Sequence, residues 1–274
     1  MSIFSDTICA LGEGPLWHPT RGQFFWFDIL GCKLLTRTEA GEKAWSFDEH
    51  VSAAGWVDDD TLIMASETAL WRFSLIDGAR SKLVELEADM PAKRSNDGRA
   101  DPQGGFWIGT MGKDAEPHAG SIYRYYRGEL RKLFDRITVS NSICFSPDGT
   151  TAYFADTFNR RIDMVRLDAQ GWPQGDVTTF VDLKEDGLNP DGSVVDAAGN
   201  LWNAQWGAAQ ITCYDPTGAF KDQIGFPATQ ISCPCFGGDD LQTLYATSAA
   251  VGMTGAQDGM TFAVHTSVKG QAEH

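Results

Sequence analysis

A phrase returns along this chain at nearly fixed intervals, and that recurrence limits the possible fold more than any other feature. Each copy begins with a small or polar residue, runs through four mostly small or apolar residues, makes a polar turn and ends in a strand rich in Trp, Phe or Tyr. The clearest copies begin at Glu13 (EGPLWHPTRGQFFWFD), Asn96 (NDGRADPQGGFWIGT), Asn141 (NSICFSPDGTTAYFAD) and Asp191 (DGSVVDAAGNLWNAQ). Aligning the polar turns HPTR, DDDT, DPQG, SPDG, DAAG and GGDD brings Ala53 and Ser232 into the same register. The intervals are all about 40 to 50 residues, room for four short strands and their turns.

The chain holds 29 Gly, 11 Pro, 9 Trp and 16 Phe in 274 residues, and no long window shows clean helical periodicity. That mixture suits short strands joined by tight turns. The reading is all-β: a six-bladed β-propeller of four-stranded blades, a single domain over residues 1–274. Residues 3–11 read as one extended strand, too short to form a unit. They are expected to supply the outer strand of the last blade, which closes the ring and removes an exposed edge. Residues 113–119 interrupt the third unit where a short turn is due. Insertions of that kind usually sit over one face and often carry function.

A formal net charge of -15 sets the protein's field against phosphate backbones and anionic lipid, so neither nucleic acid nor a membrane is an expected partner. The opening MSIFSDTICALGEGP has no basic region followed by an apolar one, and no apolar run is of bilayer length; a cytoplasmic location is expected. The six Cys are scattered, and most read as small buried hydrophobes. Cys233-Pro-Cys235 lacks the second pair that a tetrahedral metal site needs.

In a propeller the innermost strand of each blade lines the central channel, so residues in one register point at a common axis. Glu13 and Asp191 then bring two anionic oxygens together and Asn141 a neutral amide oxygen. Such a set suits Ca²⁺, Mg²⁺ or Mn²⁺, with Zn²⁺ admissible although the register contains no His. Asn96 stands in the same register as a further ligand candidate, whereas Ala53 and Ser232 are silent. Three protein ligands leave places for water and a substrate oxygen, the mark of a catalytic ion. The competing view is that these Asp and Asn residues merely cap strand starts. Trp206 and Phe158 are expected to pack between blades, as most aromatics do, more than to wall a pocket. His118 in the inserted segment has the chemistry of an acid or base, but nothing in its spacing requires that role.

The phrases LGEGPLWH, RSNDGRADPQGGFWIGTM, NSICFSPDGTTAYFADT, NPDGSVVDAAGNLWNAQW and CFGGDDLQTLYATSA occur in this order through almost the whole chain. Together they resemble the gluconolactonase/regucalcin family of sugar lactonases, which also includes luciferin-regenerating enzyme. The wording from Asp191 to Asp196 is nearest to bacterial pentonolactonases. The resemblance implies a six-bladed propeller holding one divalent cation (Ca, Zn, Mn or Mg) on Glu13, Asn141 and Asp191, and the hydrolysis of a small-molecule sugar lactone to the aldonic acid. It also implies roles that spacing alone does not give: Asp191 as general base, and Asn96 and Arg94 as substrate contacts. Asp114 stands where relatives carry an acidic sugar contact, with Asp in place of the expected Glu. Ser142 replaces the usual Gly after the metal-binding Asn, and Cys213 stands where many relatives have Arg. Two rival functions share these residues: a metal-dependent esterase or phosphotriesterase, and a non-catalytic calcium-binding regulatory propeller.

Overall fold

The computed structural model describes residues 1–274, and its only helical element is a single 3-10 turn, Thr157–Asn159. Six four-stranded antiparallel sheets form the blades of a propeller, here called I to VI. Their innermost strands are Gly12–His18, Val51–Asp58, Lys93–Ala100, Ser140–Phe145, Asn189–Val195 and Gln230–Gly237. In blades I to V the strands follow one another outward in chain order; in blade VI the outermost strand is Ser2–Ser5, paired with Thr261–His265. The N-terminal strand therefore closes the ring, as expected, but over a shorter span than residues 3–11. The cause is local competition for the backbone. Cys9 N–H donates to the Gly259 carbonyl at 3.0 Å, and the Ala10 and Leu11 N–H groups donate to the Asp28 carboxylate at 3.1 and 3.0 Å.

The packing explains why the second strands read as unbroken apolar runs rather than as alternation. Each such strand is buried on both faces, because a blade has a neighbour on either side. In Gln23–Asp28, Phe25 and Phe27 join the cluster between blades I and II, while Phe24 and Trp26 join the one between VI and I. In Phe106–Gly112, Phe106 and Ile108 face blade II and Trp107 faces blade IV. Every interface between neighbouring blades carries one such cluster. All six Cys are unpaired thiols and five are buried, Cys213 among the apolar side chains between blades V and VI.

The opening residue of each phrase sits at a break in pairing. Register shifts fall between Glu13 and Leu16, Ser95 and Gly98, Asn141 and Cys144, Pro190 and Ser193, and Ile231 and Pro234. A bulge leaves one residue outside the ladder and re-aims its side chain. Asn96 and Asp191 lie in the bulge, outside the ladder, whereas Glu13 and Asn141 are the last paired residues before it, and all four side chains reach one end of the channel.

Candidate functional site

At that end lies a cavity of ≈ 350 Å³ whose lining includes Glu13, Arg94, Asn96, Asn141, Thr157 and Asp191. Of the residues singled out in the sequence, Glu13, Asn96, Asn141, Asp191 and Arg94 converge here, all buried. Asp114 does not: it is exposed on the 113–119 segment, and it is its neighbours Lys113 and Ala115 that reach the cavity. His118 is also exposed, and its ring is bonded to the Arg136 carbonyl at 3.0 Å, away from the site. Trp206 is half-buried and does both things considered for it, packing on the cluster between blades I and II and lining the cavity. Phe158 departs from the expected packing between blades. It is 69% exposed, because the 3-10 turn capped by Asp156 carries it out over the rim.

Glu13 comes from blade I and Asp191 from blade V, and their buried carboxyl groups are close enough to act on one another. Burial, and then the nearby Asp97 carboxylate, pushes Glu13 up to about 8. Burial and the charges of Glu13 and Asp97 raise Asp191 well above the usual carboxylate range. Two buried carboxyl groups in contact cannot both ionise without a positive charge between them. Arg94 is close enough to be felt by both, but its own charge is opposed by burial, which lowers it to about 10.

A divalent cation fits this donor set. It would turn carboxylate repulsion into attraction, and the Asn141 amide adds a neutral oxygen of the kind that hard cations accept. Nowhere in the chain do three or more His, Cys, Asp and Glu side chains gather in a metal-holding group, so the third member of the fitting set is an amide. Asn96 is differently placed. Its Oδ1 accepts from Arg94 Nη1 at 2.6 Å, and its Nδ2 donates to Asn141 Oδ1 at 3.0 Å and to the Ser140 carbonyl at 2.9 Å. An oxygen already facing a guanidinium is a poor cation ligand. Asn96 therefore orients Asn141 and Arg94 rather than completing the coordination.

Several residues to which the sequence assigned no role in the site hold this arrangement. Thr157 Oγ1 accepts from Asn141 Nδ2 at 2.8 Å and donates to the Pro190 carbonyl at 2.7 Å, which fixes the Asn141 amide and bridges blades IV and V. Ser142 adopts φ 58°, a left-handed conformation that favours Gly, and its buried hydroxyl donates to the Asp191 carbonyl at 2.6 Å. Asn203 Nδ2 donates to the same carbonyl at 3.1 Å. Ser at this left-handed position costs backbone strain and offsets it with a bond to the Asp191 backbone. Lys113 Nζ lies 3.1 Å from Glu67, which also bonds His50 at 2.5 Å, so the inserted segment is tethered to blade II. The signal for these residues was three-dimensional, since each partner lies on another strand or blade.

Comparison with known proteins agrees with this architecture. The protein matches a solved structure from Agrobacterium tumefaciens, described as a calcium-binding protein, regucalcin, with a TM-score of 0.96 and 40% identity over 99% of this chain and 95% of that one. It is 35% identical to the L-arabinolactonase of Azospirillum brasilense, over 92% of this chain and 85% of the relative. It is 30% identical to a pentonolactonase of Haloferax volcanii, over 89% and 83% respectively. The sequence pattern of the SMP-30/Gluconolactonase/LRE-like region matches residues 11–250, a span that holds the whole register from Glu13 to Ser232. With that match spanning most of its length, this chain belongs to the SMP-30/gluconolactonase/LRE-like family.

Proposed function

We propose that this protein hydrolyses a small sugar lactone to the corresponding hydroxy acid and that the reaction depends on one divalent cation. The observation that carries this reading is the convergence of Glu13, Asn141 and Asp191 beside a buried Arg94 inside an open cavity. The names of the relatives, L-arabinolactonase and pentonolactonase, support the substrate class. Held by Glu13, Asn141 and Asp191, the cation would supply Lewis-acid polarisation of the lactone carbonyl, and the oxygen-rich set suits Ca, Mg or Mn, with Zn also accepted.

The side chains supply the rest. Arg94, its guanidinium fixed by Asn96, holds the lactone so that attack by water becomes effectively unimolecular, an advantage of several kcal/mol; the part expected of Asn96 in substrate contact is thus played through Arg94. Asp114, on the rim, is left a peripheral part in sugar contact. Asp191 takes a proton from water as the water oxygen bonds to the carbonyl carbon. When the ring carbon–oxygen bond breaks, the proton returns to the departing ring oxygen, and the net change is the addition of one water. The hydroxy acid then ionises, and a protein of net charge -15 does not retain the anion electrostatically.

The test is acid release from a panel of aldonolactones by chelator-stripped protein, before and after reconstitution with single cations. Stripped protein is expected to be inactive and at least one of the four cations to restore turnover. A rate untouched by chelation would overturn the cation dependence. The Agrobacterium neighbour, described as calcium-binding, keeps a regulatory reading in view. Tight calcium binding with no turnover on any lactone would favour that alternative.

A further inference from the structure

The cavity has two unlike sides. Blades III and IV supply all the polar lining apart from Glu13 and Asp191, namely Arg94, Asn96, Lys113, Asn141 and Thr157, together with the apolar Met111, Ala115 and Val139. Across from them, Leu11 and Leu30 come from blade I, Trp206 from blade V and Val251 from the segment after the Thr243–Ala249 strand of blade VI. The only polar groups that these three blades place in the lining are Glu13 and Asp191, which belong to the reaction centre.

Most polar atoms on the other side are already committed. Asn96 uses its amide on Arg94, Asn141 and the Ser140 carbonyl. Asn141 Nδ2 is spent on Thr157, whose hydroxyl is spent on the Pro190 carbonyl. Lys113 is paired with Glu67, and Arg94 Nη1 also donates to the Ser95 carbonyl at 3.0 Å. What stays open to a ligand is the rest of the Arg94 guanidinium and the remaining N–H groups of Lys113. A fully hydroxylated aldonolactone brings several hydroxyls into this space. Each one buried without a partner weakens binding by roughly tenfold. Each methylene or methyl group covered by the apolar side strengthens it roughly fourfold.

We infer that the preferred substrate is a lactone with an apolar far edge: a deoxy sugar lactone or an alkyl-substituted hydroxylactone. One or two hydroxyls near its carbonyl meet Arg94, and its deoxygenated end lies against Leu30, Trp206 and Val251. This inference rests on the lactonase reading and narrows it. A cavity of ≈ 350 Å³ is at the small end for ligand sites and matches one ring with a short substituent.

The experiment compares kcat/KM for a pentono-1,4-lactone and its 5-deoxy counterpart on cation-loaded protein, with the double variant Leu30→Ser, Val251→Ser alongside. The two side chains are 42% and 44% exposed, so the variant should fold. The 5-deoxy lactone is expected to be favoured by about tenfold or more, chiefly through KM, and the double variant to reduce that preference to within about threefold. A wild-type preference for the fully hydroxylated lactone overturns the inference and leaves the lactonase reading standing. So does a deoxy preference that survives in the double variant. Hydrolysis of neither lactone, nor of any other in the panel, removes the reading on which the inference rests and the inference with it.

Discussion

The two ends of the channel are built from the same inner strands but treat charge in opposite ways. At the far end, Arg99 Nη1 pairs with Glu273, while its Nε and Nη2 donate to the Ile143 and Ser193 carbonyls, both at 3.3 Å. Asp97, which stands between the two ends and also raises Glu13 and Asp191, accepts from Ile143 N–H at 2.7 Å and is attracted by Arg99, although burial still raises it to about 6. The C-terminal residues cross this opening: Trp56 Nε1 donates to the Glu273 carbonyl at 3.1 Å and Gln271 Nε2 to the Phe145 carbonyl at 2.8 Å. Opposite charges and satisfied donors make a clasp across blades II to V. At the cavity end, Glu13 and Asp191 are buried like groups, and the guanidinium that both feel, Arg94, has its own charge opposed by burial. Buried ionisable residues at the closed end act as structure; at the open end they are poised to take something in.

If that contrast is right, removing one charge at each end has opposite consequences. Asp191→Ala should lower lactone hydrolysis by about 10³-fold or more, since it removes both a proposed cation ligand and the base. Its circular dichroism spectrum should stay native, and the stripped variant should melt no lower than the stripped wild type, because one of two repelling carboxyls is gone. Retained activity would break the assignment of the open end. Arg99→Met should do the reverse. It leaves Glu273 and Asp97 buried without their cation, which costs about 3–5 kcal/mol in denaturant unfolding. Hydrolysis measured well below the melting temperature should persist. Loss of turnover without loss of stability would show that the clasp is not merely structural.

The open end was legible in the sequence and the closed end was not, for a physical reason. Glu13, Asn141 and Asp191 open copies of one repeated phrase, Glu13 and Asn141 just before the bulge and Asp191 within it, so phase brings them to one end of the channel to within one residue. Asp28 and Asp156 close their phrases just as visibly. Their carboxylates are used up on the N–H groups of Leu11 and Gly31 and of Thr138 and Val139, which only coordinates reveal. Arg99 and Glu273 lie 174 residues apart and share no register, so no periodicity joins them. The blades themselves were readable because a strand buried on both faces must be apolar throughout, as in Phe24-Phe25-Trp26-Phe27. Phe158 misled for the converse reason: an aromatic side chain is usually buried, but a one-turn helix after a strand points outward whatever it carries.

A smaller effect sharpens the comparison by pH. In protein stripped of cations, Glu13 has a folded-state pKa of about 8 against an ordinary value of 4.5, and Asp191 is raised as well. A raised carboxyl binds its proton more tightly when folded, so folding is favoured in full below the unfolded value. That advantage is lost as pH climbs through about 8 and the buried carboxyl must ionise. A bound cation substitutes for the proton and removes the penalty, with a stabilisation of about 2.7 kcal/mol when it is present at a hundred times its Kd. Melting temperatures of stripped protein should therefore fall between pH 6 and pH 9, while those of cation-loaded protein fall less, so that the two curves separate toward alkaline pH. The clasp at the closed end is common to both samples and cancels in the difference. Parallel curves would mean that Glu13 and Asp191 do not meet the cation, and the open end would then have to be reread as a polar core rather than a receptive site.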